Sequence, residues 1–472
     1  MSKFLITSVF AFVVVLCAYA QNPQISKYHL DNGLTVYLNE DHSKPTVFGA
    51  VVVNAGAKDD PEDATGLAHY MEHVMFKGTQ ELGTWNWEAE KPHYDRIIEL
   101  FEELRNTEDE DKKAEISEEI NKESLAAGKY AIPNEFSNLV QAMGGTGLNA
   151  GTGYDYTYYH NSFPSFQIQR WLDLYAHRFE SPVFRGFQAE LEVVYEERNM
   201  YSDNYQDDVF YDFRAKLFGA HSPYGRNIGG EAEHLKNPSL KRILEFYNQF
   251  YVPSNMALVL SGDINVDDVR PMIEETFGKW EAVTRKNENN KLVNLEPIEN
   301  EKEKVKRTPF PMIKIGFMGA EAGDEDEYAF QICNSIMANQ SRTGFLDRLV
   351  LEGDLYIANA LYIKHKYAGY SSITAIPKFD MSQMKYVSLS TVEKMIGKEI
   401  EKLRQGEFDE WLINSIKDQM IREYKKLFES PEHMGEYLVQ LYSYNISLND
   451  FYQYEEAIRS ITKEQIVDVA NR

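Results

Sequence analysis

Five consecutive residues, His69-Tyr70-Met71-Glu72-His73, constrain this chain more than any other stretch. Their spacing is H-x-x-E-H. On a helix, positions i and i+4 leave the same face one turn apart, so both imidazoles point the same way. Glu72 lies three positions after His69 and stays on that face. Two histidine nitrogens so placed can hold one divalent metal ion, and a carboxylate beside them can take a proton from water. The flanks predict a helix. Leu67, Met71 and Val74 form an apolar stripe that can seat it on a core, and Thr65 is the expected N-cap.

An open metal site needs a third protein ligand. Residues 189–200 (Ala-Glu-Leu-Glu-Val-Val-Tyr-Glu-Glu-Arg-Asn-Met) read as a carboxylate-rich helix, with Leu191, Val194 and Tyr195 at helical spacing. Spacing alone leaves Glu190, Glu192, Glu196 and Glu197 open as candidates. Such a run is more often a solvated acidic face.

H-x-x-E-H is the inverse of the H-E-x-x-H pattern of zinc proteases. The chain around it resembles the M16 (pitrilysin/insulinase-like) zinc metallopeptidases, the inverzincins. The resemblance is carried by residues 30–36 (Leu-Asp-Asn-Gly-Leu-Thr-Val) and 54–60 (Asn-Ala-Gly-Ala-Lys-Asp-Asp), by Phe76-Lys77-Gly78-Thr79, and by Gly147-Leu148-Asn149-Ala150 followed by Tyr158. Ser222-Pro223-Tyr224-Gly225 and residues 250–256 extend it, so that it covers nearly all of residues 25–472. It implies zinc, one ion per chain, held by His69, His73 and Glu197, with Glu72 as general base. Glu190 would support the site from behind a ligand. Asn149 and Ala150 would lie on an edge strand that takes peptide substrate as an added strand.

The resemblance also implies the architecture, an α/β (α+β) fold of two duplicated sandwich domains. A catalytic domain is expected over 21–284 and a linker over 285–304. A second, inactive copy over 305–472 repeats the strand, acidic turn and helix of residues 47–76 without a histidine pair. The stretch from His73 to Glu197 is longer than is usual in the family. The excess, about 85–134, reads as an inserted helical hairpin marked by Ile97, Phe101 and Leu104, then by Ile116 and Ile120. The terminal helix over 462–472 has no strand after it, whereas the comparable helix at Leu240–Tyr251 is followed by one at Met256–Ser261. The second domain is therefore expected to be incomplete, and the chain to be the first half of a longer protein. An arginine expected seven residues before Tyr356 is replaced by Leu349, which fits a first half and not a complementing one. A second M16-like half, in the same chain or as a subunit, is the expected partner for activity. The alternative is a non-catalytic structural subunit; intact His69, Glu72, His73 and Glu197 argue against it.

Residues 1–20 read as a secretory signal: Lys3, an apolar run from Phe4 to Leu16, and the cleavage site Ala18-Tyr19-Ala20. Removing it removes Cys17 and leaves Cys333 alone, so no intrachain disulfide is expected. That combination points to a bacterial periplasm. A net charge of −25 excludes the phosphate backbone of nucleic acids and anionic membranes as partners. No membrane contact is expected once the signal is removed.

Overall fold

The computed structural model describes residues 24–236, 239–283, 302–304 and 308–472. The expected signal segment and most of the expected linker lie outside the described residues. Among the described residues no helix is long and apolar enough to cross a membrane.

The main sheet holds β1 (Ile25–His29), β2 (Thr35–Glu40), β3 (Thr46–Val53), β4 (Thr146–Thr152), β5 (Thr157–Pro164) and β6 (Met256–Gly262), in the order β1-β2-β6-β3-β5-β4. All neighbours are antiparallel except β2 with β6. β3 reads as an uninterrupted apolar run because it is buried on both faces. Alternation sends Val47, Val51 and Val53 to one core and Phe48, Ala50 and Val52 to another. The first core lies under α1 (Leu67–Val74) and the helices Ile168–Glu180 and Leu240–Phe250. There Gly49 admits the Trp171 ring, which a Cβ would meet at 2.5 Å.

The opposite face is covered from the far end of the chain. Helix Pro431–Ser443 lays Met434, Leu438 and Val439 on β3 and β6, and Gly435 lets it approach Phe48. Residues beyond 308 also build their own α/β layer. β7 (Ile313–Gly319), β8 (Leu355–Lys364) and β9 (Gly369–Pro377) form an antiparallel sheet in the order β7-β9-β8. Helices Glu327–Met337 and Leu389–Gln405 pack on it, and Lys463–Asn471 packs on those two helices, with Ile332, Ile336, Val392, Ile396 and Ile466 in the shared core. Cys333 is buried in this core. The α/β class expected from the sequence is the class found.

Between α1 and β4 the chain forms α2 (Trp87–Arg105) and α3 (Glu110–Gly128). They pack on one another, burying Ile97, Leu100 and Phe101 of α2 and Ile120 of α3. Asn86 and Asp109 accept backbone N–H bonds at their first turns.

One local expectation fails. Thr65 does not cap α1. The N-cap is Gly66, in the left-handed region at φ 85°, and the free amides of the first turn go to Asp60. Its carboxylate accepts from Gly66 N at 2.7 Å and from Ala68 N at 2.8 Å. The Thr65 hydroxyl instead contacts His234 Nδ1 and accepts from Glu231 N. A cap delivered from six residues upstream leaves no local spacing signal.

Candidate metal centre

α1 buries Leu67, Ala68, Tyr70, Met71 and Val74 against the sheet, which leaves His69, Glu72 and His73 on its other stripe. The Tyr70 hydroxyl donates to Phe187 O at 2.6 Å and so ties α1 to the first turn of helix Phe187–Asp203. Two turns of that helix separate Glu190 from Glu197, and both reach α1. Glu197 Oε2 lies 3.4 Å from His73 Nε2 and 3.8 Å from His69 Nε2. Glu190 Oε1 accepts from His73 Nδ1 at 3.0 Å, and its other oxygen pairs with Lys77. Glu192 and Glu196 are exposed. Of the four carboxylates that spacing left open, these two therefore stand apart from the histidines.

The donor set fits a zinc ion. His69, His73 and Glu197 each offer one ligand atom, all within 4.8 Å of one another, and this is the one such group among the described residues. Among the described residues Glu197 makes no hydrogen bond to either histidine, and its Oε2, at 3.4 and 3.8 Å, faces both imidazoles, so that three donors converge as a zinc site requires. Electrostatics agree for the first histidine. Burial, with the His73 charge beside it, pushes the His69 pKa down to about 4, so His69 is neutral, as a ligand must be. Burial also opposes charging His73, but the Glu190 hydrogen bond and the Glu197 and Glu72 charges outweigh it and raise its pKa. In the neutral ring that bond makes Nδ1 the donor and leaves Nε2 with the lone pair. His69 Nδ1 is buried without a hydrogen-bond partner among the described residues.

Glu72 stands on the same stripe. Burial raises its pKa, and the Thr152 hydroxyl, donating to Oε2 at 2.6 Å, works against that rise. Thr152 is the last residue of β4. Asn149 and Ala150 lie on the same strand, paired with His160 and Tyr159 of β5 on one side. β4 ends the sheet, so its other side carries no strand among the described residues.

Two contributors are absent from the sequence reading. Thr152 was legible in principle, because alternation from Leu148 and Ala150 puts it on the face towards α1. Arg178 was not. It is 1% exposed, donates from Nε to Met75 O at 2.9 Å, and stacks its guanidinium 4.2 Å from the Phe76 ring centroid and 4.4 Å from that of Phe136. A cation at the C-terminal end of α1 complements the helix dipole, and the rings replace part of its lost hydration.

Comparison with known proteins places the fold and the family. The structure resembles a protease from Helicobacter pylori (TM-score 0.74, 19% identity, 95% of this chain and 96% of that one). It also resembles the first half of the periplasmic protease PqqL from Escherichia coli (TM-score 0.66, 18% identity, 95% and 88%). Against the longer PqqL structure it covers 46% of that chain. In sequence it is 24% identical over 319 residues to the uncharacterised zinc protease YmxG of Bacillus subtilis, covering 66% of this chain and 64% of the relative. The zinc protease PqqE of Helicobacter pylori is 24% identical over 258 residues, 54% and 47% of the two chains. The chain spans less than two thirds of the length of these curated relatives. The insulinase (peptidase family M16) model matches residues 35–88 and 123–230, passing over most of α2 and the first part of α3, and the M16 inactive-domain model matches 238–420. Together the two models span most of the chain, which belongs to peptidase family M16, the insulinase family.

Proposed function

We propose that this chain is a zinc-dependent endopeptidase acting on extended peptides. The observation that carries the reading is the convergence of His69, His73 and Glu197 on one point, with Glu72 on the same helix stripe. Zinc bound there supplies Lewis-acid chemistry, acidifying a water and polarising a scissile carbonyl. Glu72 takes the proton of the attacking water and hands it to the leaving amine; its burial-raised pKa suits both transfers. Glu190 holds His73 in the ligating tautomer. The open side of β4 receives the peptide backbone as an added strand, with Asn149 and Ala150 in that register. Recognition through main-chain bonds predicts loose sequence preference.

The natural setting proposed is secretion into a bacterial periplasm, the compartment named for PqqL. A second M16-like half is proposed to close over the site. The greater length of the relatives and the 46% coverage of PqqL support this.

The test is metal content and turnover together. One zinc per chain is expected, lost in His69→Ala and His73→Ala. Glu72→Gln should retain zinc while turnover of an unstructured peptide falls by at least ~100-fold. A chain that takes up no zinc, or a Glu72→Gln variant with wild-type turnover, would sink the reading. A gain in turnover on adding a second half marks the half-enzyme form.

A further inference from the structure

Glu72 is held from one side only, and the grip comes from the substrate strand. Thr152 Oγ1 donates to Glu72 Oε2 at 2.6 Å. The direction of this bond follows from counting protons. Thr152 Oγ1 also lies 3.4 Å from Thr157 Oγ1, but the Thr157 proton goes to Ala55 O at 3.0 Å. Only the Thr152 proton could then make that 3.4 Å contact, and it goes instead to the far shorter bond with the Glu72 carboxylate. Among the described residues Glu72 Oε1 carries no hydrogen bond, so one carboxylate oxygen is pinned and the other is left to handle a proton.

Thr152 is itself held by a turn that the second α/β layer grips. Residues 153–156 join β4 to β5. Gly153 O and Tyr154 O accept from Ala57 N and Lys58 N at 3.0 Å each. Gly56 makes that closeness possible, since a Cβ there would sit 2.5 Å from Gly153 O. The Tyr154 hydroxyl accepts from Arg214 Nε at 3.1 Å and donates to Arg226 O at 2.8 Å. Asp155 is 1% exposed; it accepts from Tyr224 Oη at 2.7 Å and from Lys366 N at 3.1 Å, with His365 Nδ1 at 3.5 Å. His365 and Lys366 belong to the β8–β9 turn.

We propose that Thr152 is a positioning residue for the Glu72 carboxylate, held in register by a β4–β5 turn that the β8–β9 turn of the second layer clamps through Asp155. The inference rests on Glu72 being the general base. It gives the layer without a histidine pair a part in the chemistry, and it links the strand that takes substrate to the group that moves the proton.

The test uses the zinc-loaded full chain with Thr152→Val, which keeps the shape and removes the hydroxyl, with Thr152→Ala as a second variant and Thr152→Ser as the rescue. Losing a hydrogen bond to a charged group should lower kcat about tenfold to a hundredfold. KM and zinc Kd should stay within about twofold, and Thr152→Ser should restore kcat. In a Glu72→Gln background, Thr152→Val should cost nothing further. Equal losses in both backgrounds, or a loss in KM or zinc affinity in place of kcat, would overturn the proposal. A second readout needs no activity: in the zinc-free Thr152→Val crystal structure, Glu72 should leave its rotamer while β4 stays in place. A Glu72 that does not move refutes positioning. If wild-type, zinc-loaded protein cleaves no peptide, the peptidase reading fails, and the rotamer comparison still decides this one.

Discussion

Replacing Glu190 should weaken zinc binding without disturbing the fold, by an amount set by what its carboxylate touches. Oε1 accepts from His73 Nδ1 at 3.0 Å, and the side chain is 13% exposed. A hydrogen bond to a charged group in such a place contributes about 1.5–3 kcal/mol, and a neutral one about 0.5–1.5 kcal/mol. Glu190→Gln keeps an acceptor but loses the charge, a difference of about 1–1.5 kcal/mol, or roughly fivefold to fifteenfold in zinc Kd. Glu190→Ala removes the acceptor and frees the imidazole to turn or change tautomer, so the loss should approach the ~100-fold end of the range for such outer partners. The Lys77 pair adds little, because Lys77 is 31% exposed and rehydrates when its partner is lost. The assay is competition for zinc with a chromophoric chelator at neutral pH, alongside unfolding of the metal-free variants. Both variants binding zinc within twofold of wild type, in a folded chain, would refute the idea that Glu190 sets the His73 tautomer.

Asn161→Leu should destabilise the main core by about 2–5 kcal/mol in urea unfolding, because it orphans two buried donors. Trp171 Nε1 and the Tyr175 hydroxyl both donate to Asn161 Oδ1, at 2.8 and 2.7 Å; a loss under ~0.5 kcal/mol would mean that they find other acceptors. A pH effect is expected at His365. Burial pulls its pKa below the ordinary 6.5; the Asp155 bond opposes this and the Arg214 cation, 3.1 Å away, adds to it. The folded chain therefore binds fewer protons here than the unfolded chain. Stability from this site is full above pH 6.5 and falls as pH drops below that value. His365→Gln should flatten that part of the pH–stability curve, and an unchanged slope would assign the effect to other groups.

The local pattern was informative wherever a periodicity repeats. The i, i+4 spacing of His69 and His73 and the apolar stripe of Leu67, Met71 and Val74 follow from helix geometry and need no tertiary partner. The family, the α/β class and the edge position of Asn149 and Ala150 were legible through the resemblance. Which glutamates face the histidines was not legible from spacing. Glu190, Glu192, Glu196 and Glu197 differ only in which way they face, and that depends on where helix Phe187–Asp203 lies against α1. Packing decided it: the Tyr70–Phe187 tie brings Glu190 and Glu197 to the histidines and leaves Glu192 and Glu196 exposed. Tertiary structure also replaced the expected Thr65 cap with Asp60, buried Arg178 at the end of α1, and brought Lys366 to Asp155 across more than two hundred residues. Each of these is a hydrogen bond between groups far apart in sequence or outside any helical or strand period. Such bonds form because buried polar groups must find partners, and only the packed chain determines which partners are within reach.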